Sequence, residues 1–183
     1  MSAIFQRLNS VLNHPSEFFD SIKSEKGIGN VFKYWAVISL LPIVPVYLLI
    51  FAGLSDFSSS FADYYTPVLP IHIMLTPILS YVTILFLPFV LAGLTHLSAK
   101  LLKGSGDYSA SYRATIYGLT PANLFSWIPI VGFIPVLWSW AVTIKGISTL
   151  HEVSMVRAFL IVVLIPLILV VLAGASGVIF ALT

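Results

Sequence analysis

Four stretches without a charged residue divide the chain: 34–55, 64–99, 114–144 and 158–183. A membrane helix needs about 20 mostly apolar residues, so each stretch holds at least one. The basic residues set how often each one crosses. Arg7, Lys23, Lys26 and Lys33 precede the first stretch, and Lys100, Lys103 and Arg113 follow the second. Lys145 and Arg157 flank the short segment before the last, while the 54–66 segment has Asp56 and Asp63 but no Lys or Arg. Lys and Arg collect on the cytoplasmic side. The first two stretches then cross once each, the third an even number of times, and the fourth once. The pattern predicts an all-α, polytopic membrane helix bundle of five transmembrane helices, with a cytoplasmic N-terminus and the C-terminus outside. The spans fall at about 33–54, 70–99, 112–127, 130–148 and 157–181. Tyr64-Tyr65-Thr66-Pro67 reads as an interfacial lead-in to the second span, because Tyr favours the headgroup level. The third stretch turns at Ser126-Trp127-Ile128-Pro129. Its two helices are short for a bilayer about 30 Å thick. A re-entrant hairpin over 114–147 satisfies the same parity.

A different periodicity precedes the spans, over residues 1–30. Ile4, Phe5, Leu8, Val11 and Leu12 recur at helical spacing, which makes one apolar face. Pro15 ends that helix and suits the first turn of the next, whose apolar face is Phe18, Phe19 and Ile22. Gly27 and Gly29 close it. Two short amphipathic helices beside basic residues are expected either in the cytoplasmic interface or packed on the ends of the bundle.

Composition agrees with the membrane reading. Hydrophobic residues make up 58% of the 183, and charged ones only 9%. A soluble domain carries about 25% charged residues. This excludes an ordinary soluble enzyme, a disordered tail and a nucleic-acid-binding domain, so no nucleic-acid partner is expected. The net charge of +2 calls for no anionic partner. The absence of cysteine removes disulfides, thiolate metal sites and Cys nucleophiles. The first 30 residues show no apolar core with a small-residue cleavage site, so no cleaved signal peptide is expected.

Polar groups inside the spans are the usual pointers to function, and they are few. No Asp, Glu, Lys or Arg falls mid-span, and Arg113 and Lys145 mark helix ends where long basic side chains reach the headgroups. That argues against a proton-coupled carrier. His72 and His96 lie 24 residues apart, about 36 Å along one helix, and cannot share a metal. His14 precedes Pro15, and His151-Glu152 lacks the second His of a zinc-protease motif. No metal site and no cofactor is expected. Ser39, Ser80, Ser139 and Ser176 sit in no nucleophile elbow. They read as helix packing, as do Ala173, Gly174, Gly177 and Ala181. Pro42, Pro45, Pro77, Pro88, Pro121, Pro129, Pro135 and Pro166 lie in or beside spans. Each interior one frees a carbonyl that a neighbour must satisfy. The most distinctive stretch holds the candidate positions Tyr112, Arg113, Tyr117, Gly118, Thr120, Pro121 and Asn123. Asn123 is an amide in hydrocarbon, which either bridges helices or contacts a ligand or lipid.

Three motifs carry a family likeness. The first is Leu12-Asn13-His14-Pro15-Ser16-Glu17-Phe18-Phe19. The second is Gly104-Ser105-Gly106-Asp107-Tyr108-Ser109 leading into Tyr112-Arg113-Ala114-Thr115-x-Tyr117-Gly118-x-x-Pro121. The third is Ile128-Pro129-Ile130-Val131-Gly132, followed by Trp138 and Trp140. Together with the five-span layout, they resemble the Yip family of Ypt/Rab-interacting membrane proteins in its short prokaryotic form. The resemblance implies a non-enzymatic membrane scaffold or adaptor, with the lipid bilayer, protein partners or a second copy as its contacts. It places the chain in a bacterial or archaeal plasma membrane. The long cytoplasmic region and Asp-Leu-Tyr-Gly-Pro-like segment of eukaryotic relatives are missing, which counts against small-GTPase binding. The competing function is a channel, small carrier or lipid-moving protein with a polar cavity near 112–147. A membrane-embedded enzyme is the third reading, and no acid–base or metal constellation favours it.

Overall fold

The computed structural model describes residues 3–51, 70–128 and 130–164. The loop at 54–66, the Tyr64–Pro67 lead-in, Pro129, the side chain of His72 and everything beyond Leu164 lie outside the described residues. So do the later part of the fifth expected span, Pro166, Ser176 and the small residues at 173–181.

Every element among the described residues is a helix. They are α1 (Ala3–Asn13), α2 (Pro15–Ser21), α3 (Gly29–Ile38), α4 (Leu40–Phe51), α5 (Pro70–Leu101), α6 (Tyr108–Phe125), α7 (Phe133–Leu150) and α8 (Met155–Leu164). Three stretches are long and apolar enough to cross a membrane: Gly29–Leu48 over α3 and α4, Leu75–Leu101 in α5, and Phe133–Leu150. They overlap the first, second and fourth expected spans. The third expected span falls in α6, a helix of 18 residues like α7, but its polar content keeps it out of that set. The fifth begins as the shorter apolar α8.

The prolines account for the irregularities. Pro42 cannot donate to the carbonyl of Ile38, and the first crossing breaks there, between Ile38 and Leu40. Beside the break, the hydroxyl of Tyr81 donates to the carbonyl of Ala36 at 2.8 Å. Pro88 lies inside α5 and frees the carbonyl of Ile84. The indole Nε1 of Trp35 donates to that oxygen at 2.8 Å. A carbonyl stranded in hydrocarbon thus gains a partner from the neighbouring crossing.

Helix α6 is the axis of the fold. It meets α1, α3, α4, α5 and α7, and its interface with α7 is the most extensive among the described helices. Residues 110–118 are buried without a gap. Small residues on α5 let it approach: Ala92, Thr95 and Ala99 are buried at helical spacing, and Thr95 Oγ1 lies 3.3 Å from Thr115 Oγ1. A helix buried all round is normally apolar. This one carries Ser111, Arg113, Thr115, Tyr117 and Thr120, and the surrounding apolar helices shield them. Outward-facing Val44, Leu48, Leu79, Phe86, Val90 and Leu137 are exposed, the arrangement a bilayer-facing surface requires.

The two N-terminal helices are docked on the bundle. Helix α1 packs on α6 and α2 packs on α7. Val11, Phe18, Phe19 and Ile22 are buried. Gly146 makes room for α2, since a Cβ there would stand 2.6 Å from Cζ of Phe19.

Candidate functional site

Two polar clusters meet at α6. The first joins the N-terminal helices to it. Arg7 Nη1 donates to the Tyr117 hydroxyl at 2.8 Å and to Glu25 Oε2 at 3.1 Å. The bond to Glu25 is the main cause that raises the Arg7 pKa; burial opposes it, and Tyr117 reinforces it. The Tyr117 ring is wholly buried, with Phe18 edge-on at 4.7 Å and Tyr34 at 5.0 Å. Tyr34 in turn shares a hydrogen bond of 3.2 Å with Thr120, which also donates to the Ile116 carbonyl. Tyr117 and Thr120 therefore act together, as the hinge plate on which α1, α2 and α3 rest.

The second cluster lies where α5 ends, α6 begins and α7 ends. Ser111 Oγ sits 3.2 Å from His96 Nδ1 and 2.9 Å from His151 Nε2. A hydroxyl has one hydrogen, so one imidazole accepts it while the other supplies an N–H. The α5–α6 loop closes over His151. Ser105 N and Ser105 Oγ both donate to the His151 carbonyl at 3.0 Å. A Cβ on Gly106 would fall 2.7 Å from His151 Nδ1, so only glycine fits. Asp107 then caps α6 by accepting from Ala110 N at 2.8 Å, which holds its carboxyl below the usual carboxylate range.

Burial pushes the His151 imidazole down to about 4, with repulsion from His96, Lys100 and Arg113 adding to the effect and Asp107 opposing it. The ordinary His pKa in an unfolded chain is about 6.5. The unfolded chain therefore binds the extra proton first, and stability falls as the pH drops from about 6.5 to about 4. A shift of this size amounts to about 3 kcal/mol. Thermal unfolding between pH 7 and 4 should show this slope, and His151→Gln should flatten it. An unchanged slope in the variant would refute the assignment.

The remaining candidate positions fall around these clusters. Tyr112 is buried, with Phe89 at 4.8 Å and Tyr108 at 6.4 Å. Gly118 faces Thr143 of α7, and a Cβ there would stand 2.8 Å from the Thr143 Cα. Pro121 is buried, and the next amide, Ala122 N, donates to Ser139 Oγ at 2.7 Å. Asn123 is half-buried, and its Nδ2 has no partner. Arg113 departs from expectation: it does not reach outward from a helix end but is only 4% exposed. The cause is that α6 starts at Tyr108, so Arg113 sits in its second turn under the surrounding helices.

The serine between two histidines has the elements of a nucleophile and base, but Ser111 is fully buried. Two recesses flank other parts of the fold. One of about 420 Å³ runs along Thr76, Leu79, Ser80, Thr83 and Ile84, and one of about 220 Å³ lies at Ser10, His14, Glu17, Phe18 and Ser21. Neither touches Ser111, and neither is lined by residues 112–147. Among the described residues no three His, Cys, Asp or Glu side chains are grouped to hold a metal ion. The His96–Ser111–His151 contact escaped sequence reasoning, because its members are 15 and 40 residues apart. The available signal was Gly104-x-Gly106, a place where backbone must come close to something.

A family model for the Yip1 domain matches residues 9–176. No curated protein and no solved structure matches the chain. The match runs through the docked N-terminal helices, the Gly104–Asp107 loop and the α6–α7 hairpin, so over nearly its whole length this chain belongs to the Yip1-domain family of membrane proteins.

Proposed function

We propose that the protein is a non-enzymatic scaffold or adaptor of the Yip type. Its five helices cross a prokaryotic plasma membrane, with the N-terminus in the cytoplasm and the C-terminus outside. The observation that carries this reading is the docking of α1 and α2. Arg7 bonded to Tyr117, and Phe19 seated on Gly146, fix two helices against the bundle as one rigid face. That face lies on the side where the basic residues collect, which favours a cytoplasmic position. The tight contact of Gly118 with Thr143 favours a solid α6–α7 hairpin over a conducting path. The full chain captured in mild detergent from its own membranes should recover a defined set of proteins. That set should be lost when residues 3–21 are deleted. Recovery of the same background with and without the deletion would sink the reading. Ion or lipid flux in liposomes above the protein-free level would replace it with the channel or lipid-mover.

A further inference from the structure

The turn between α6 and α7 is apolar where a loop in water would be polar. Phe125, Trp127, Ile130, Val131, Phe133 and Ile134 are all exposed there, and no charged residue falls between Arg113 and Lys145. A surface cluster of this kind marks an interaction site. Ile130 is the most exposed of the six, at 93%, and holds a positive φ of 67°. Glycine or asparagine adopts that conformation more readily than a β-branched residue. The turn thus carries backbone strain while presenting an apolar side chain at its most exposed point.

Its polar groups bond to one another. Ser126 N donates to the Ala122 carbonyl at 2.9 Å, and Ile128 N to that of Phe125 at 3.2 Å. Gly132 N donates to the Ile128 carbonyl at 2.9 Å, and Ile134 N to that of Val131 at 3.0 Å. The indole N–H of Trp127 bonds the Leu124 carbonyl at 2.7 Å, whereas a tryptophan at a membrane boundary keeps its polar end wet. Hydrocarbon demands such internal pairing of a turn.

The depth follows from the docked helices. The part-exposed Arg7–Glu25 ion pair holds the Tyr117 hydroxyl. With α1 and α2 in the cytoplasm, that oxygen lies at the cytoplasmic boundary of the hydrocarbon. Beyond Tyr117, α6 has eight residues to Phe125, a rise of about 12 Å. On the return, Lys145 stands twelve residues from Phe133, about 18 Å. The hydrocarbon is about 30 Å thick. On its longer arm the hairpin passes the midplane, and it ends about 10 Å below the outer headgroups. The flank of α7 next to the turn, with Leu137, Trp138 and Trp140 exposed, continues the bilayer-facing surface.

We propose that the α6–α7 turn is a lipid-binding wedge, seated among the acyl chains of the outer leaflet rather than in the water beyond it. This rests on the orientation proposed above and sharpens how α6 and α7 cross.

The chain has no cysteine, so single-cysteine variants of the full chain, reconstituted in sealed phosphatidylethanolamine–phosphatidylglycerol vesicles of known sidedness, report one position each. Ile130→Cys removes no packing, and Ser24→Cys, in the exposed turn after α2, is the aqueous reference. A bimane on the Ile130→Cys variant should be quenched at least threefold more by lipids carrying a nitroxide on the acyl chain than by lipids carrying it on the headgroup. A membrane-impermeant maleimide should label this variant at least tenfold more slowly than Ser24→Cys from either side. Labelling from the outer side at the Ser24→Cys rate, or stronger quenching from the headgroup position, overturns the proposal and leaves the scaffold orientation standing. Shielding from both lipid quencher and maleimide means that a protein or a second copy covers the turn, which overturns it too. Labelling of Ser24→Cys from the outer side alone overturns the orientation, and the proposal with it.

Discussion

Phe19→Ala should cost about 3–5 kcal/mol, the range for removing a fully buried aromatic ring. Phe19 has no exposed surface, packs edge-on against Phe18 at 5.5 Å and lies 6.4 Å from Tyr117. It is also the group for which Gly146 leaves room. Its loss opens a void between α2 and α7 that neither helix can close without moving. For a chain of this length each kcal/mol shifts Tm by about 2–4 °C, so the change is easily measured in detergent. Limited proteolysis should at the same time cut within residues 3–28. A loss below about 1 kcal/mol with an unchanged cleavage pattern would mean that the ring does not hold the docked helices. The pair offers an internal control. Gly146→Ala should be costly in the wild type and cheaper beside Phe19→Leu, because the smaller side chain vacates the space. That coupling is readable as a double-mutant cycle.

Gly118→Val should cost about 3 kcal/mol or more, at the upper end of overpacking penalties. A Cβ at 118 would approach the Thr143 Cα to 2.8 Å and its Oγ1 still more closely. The hydroxyl can rotate away; the Cα can move only with α7. Since α6 and α7 share the most extensive interface among the described helices, the strain spreads along the whole hairpin. Thr143→Ala should therefore fail to rescue Gly118→Val. Full recovery of Tm in the double variant would show that the contact is confined to the side chain.

The membrane helices were legible because hydrocarbon tolerates so few charges. Gaps between charged residues located α5 and α7, and the freed carbonyls of the prolines correctly demanded partners, as Trp35 shows at Ile84. The same device misplaced Arg113. A charge was treated as a boundary, whereas α6 extends past it and neighbouring helices bury it. Burial of a polar helix depends on what surrounds it, and no local pattern records that. The polar clusters were illegible for a related reason. Helical spacing links residues three or four apart. The Arg7–Tyr117 bond spans 110 positions and the Ser111–His151 bond 40. His96 and His151 lie 55 positions apart, and only the fold brings them to one serine. The amphipathic faces of α1 and α2 were evident from periodicity, but their partner was not.

The distance along the chain between Arg7 and Tyr117 also sets an order of assembly. The N-terminal helices leave the ribosome first, while the surfaces they finally cover, at Tyr117 and Gly146, are made more than 100 residues later. Through that interval Phe18 and Phe19 lack the surfaces at Tyr117 and Gly146, and the membrane surface is an apolar phase open to them. Lying in the interface and packing on the bundle are then compatible descriptions of this segment, one suited to the time before α6 and α7 are made and one to the time after.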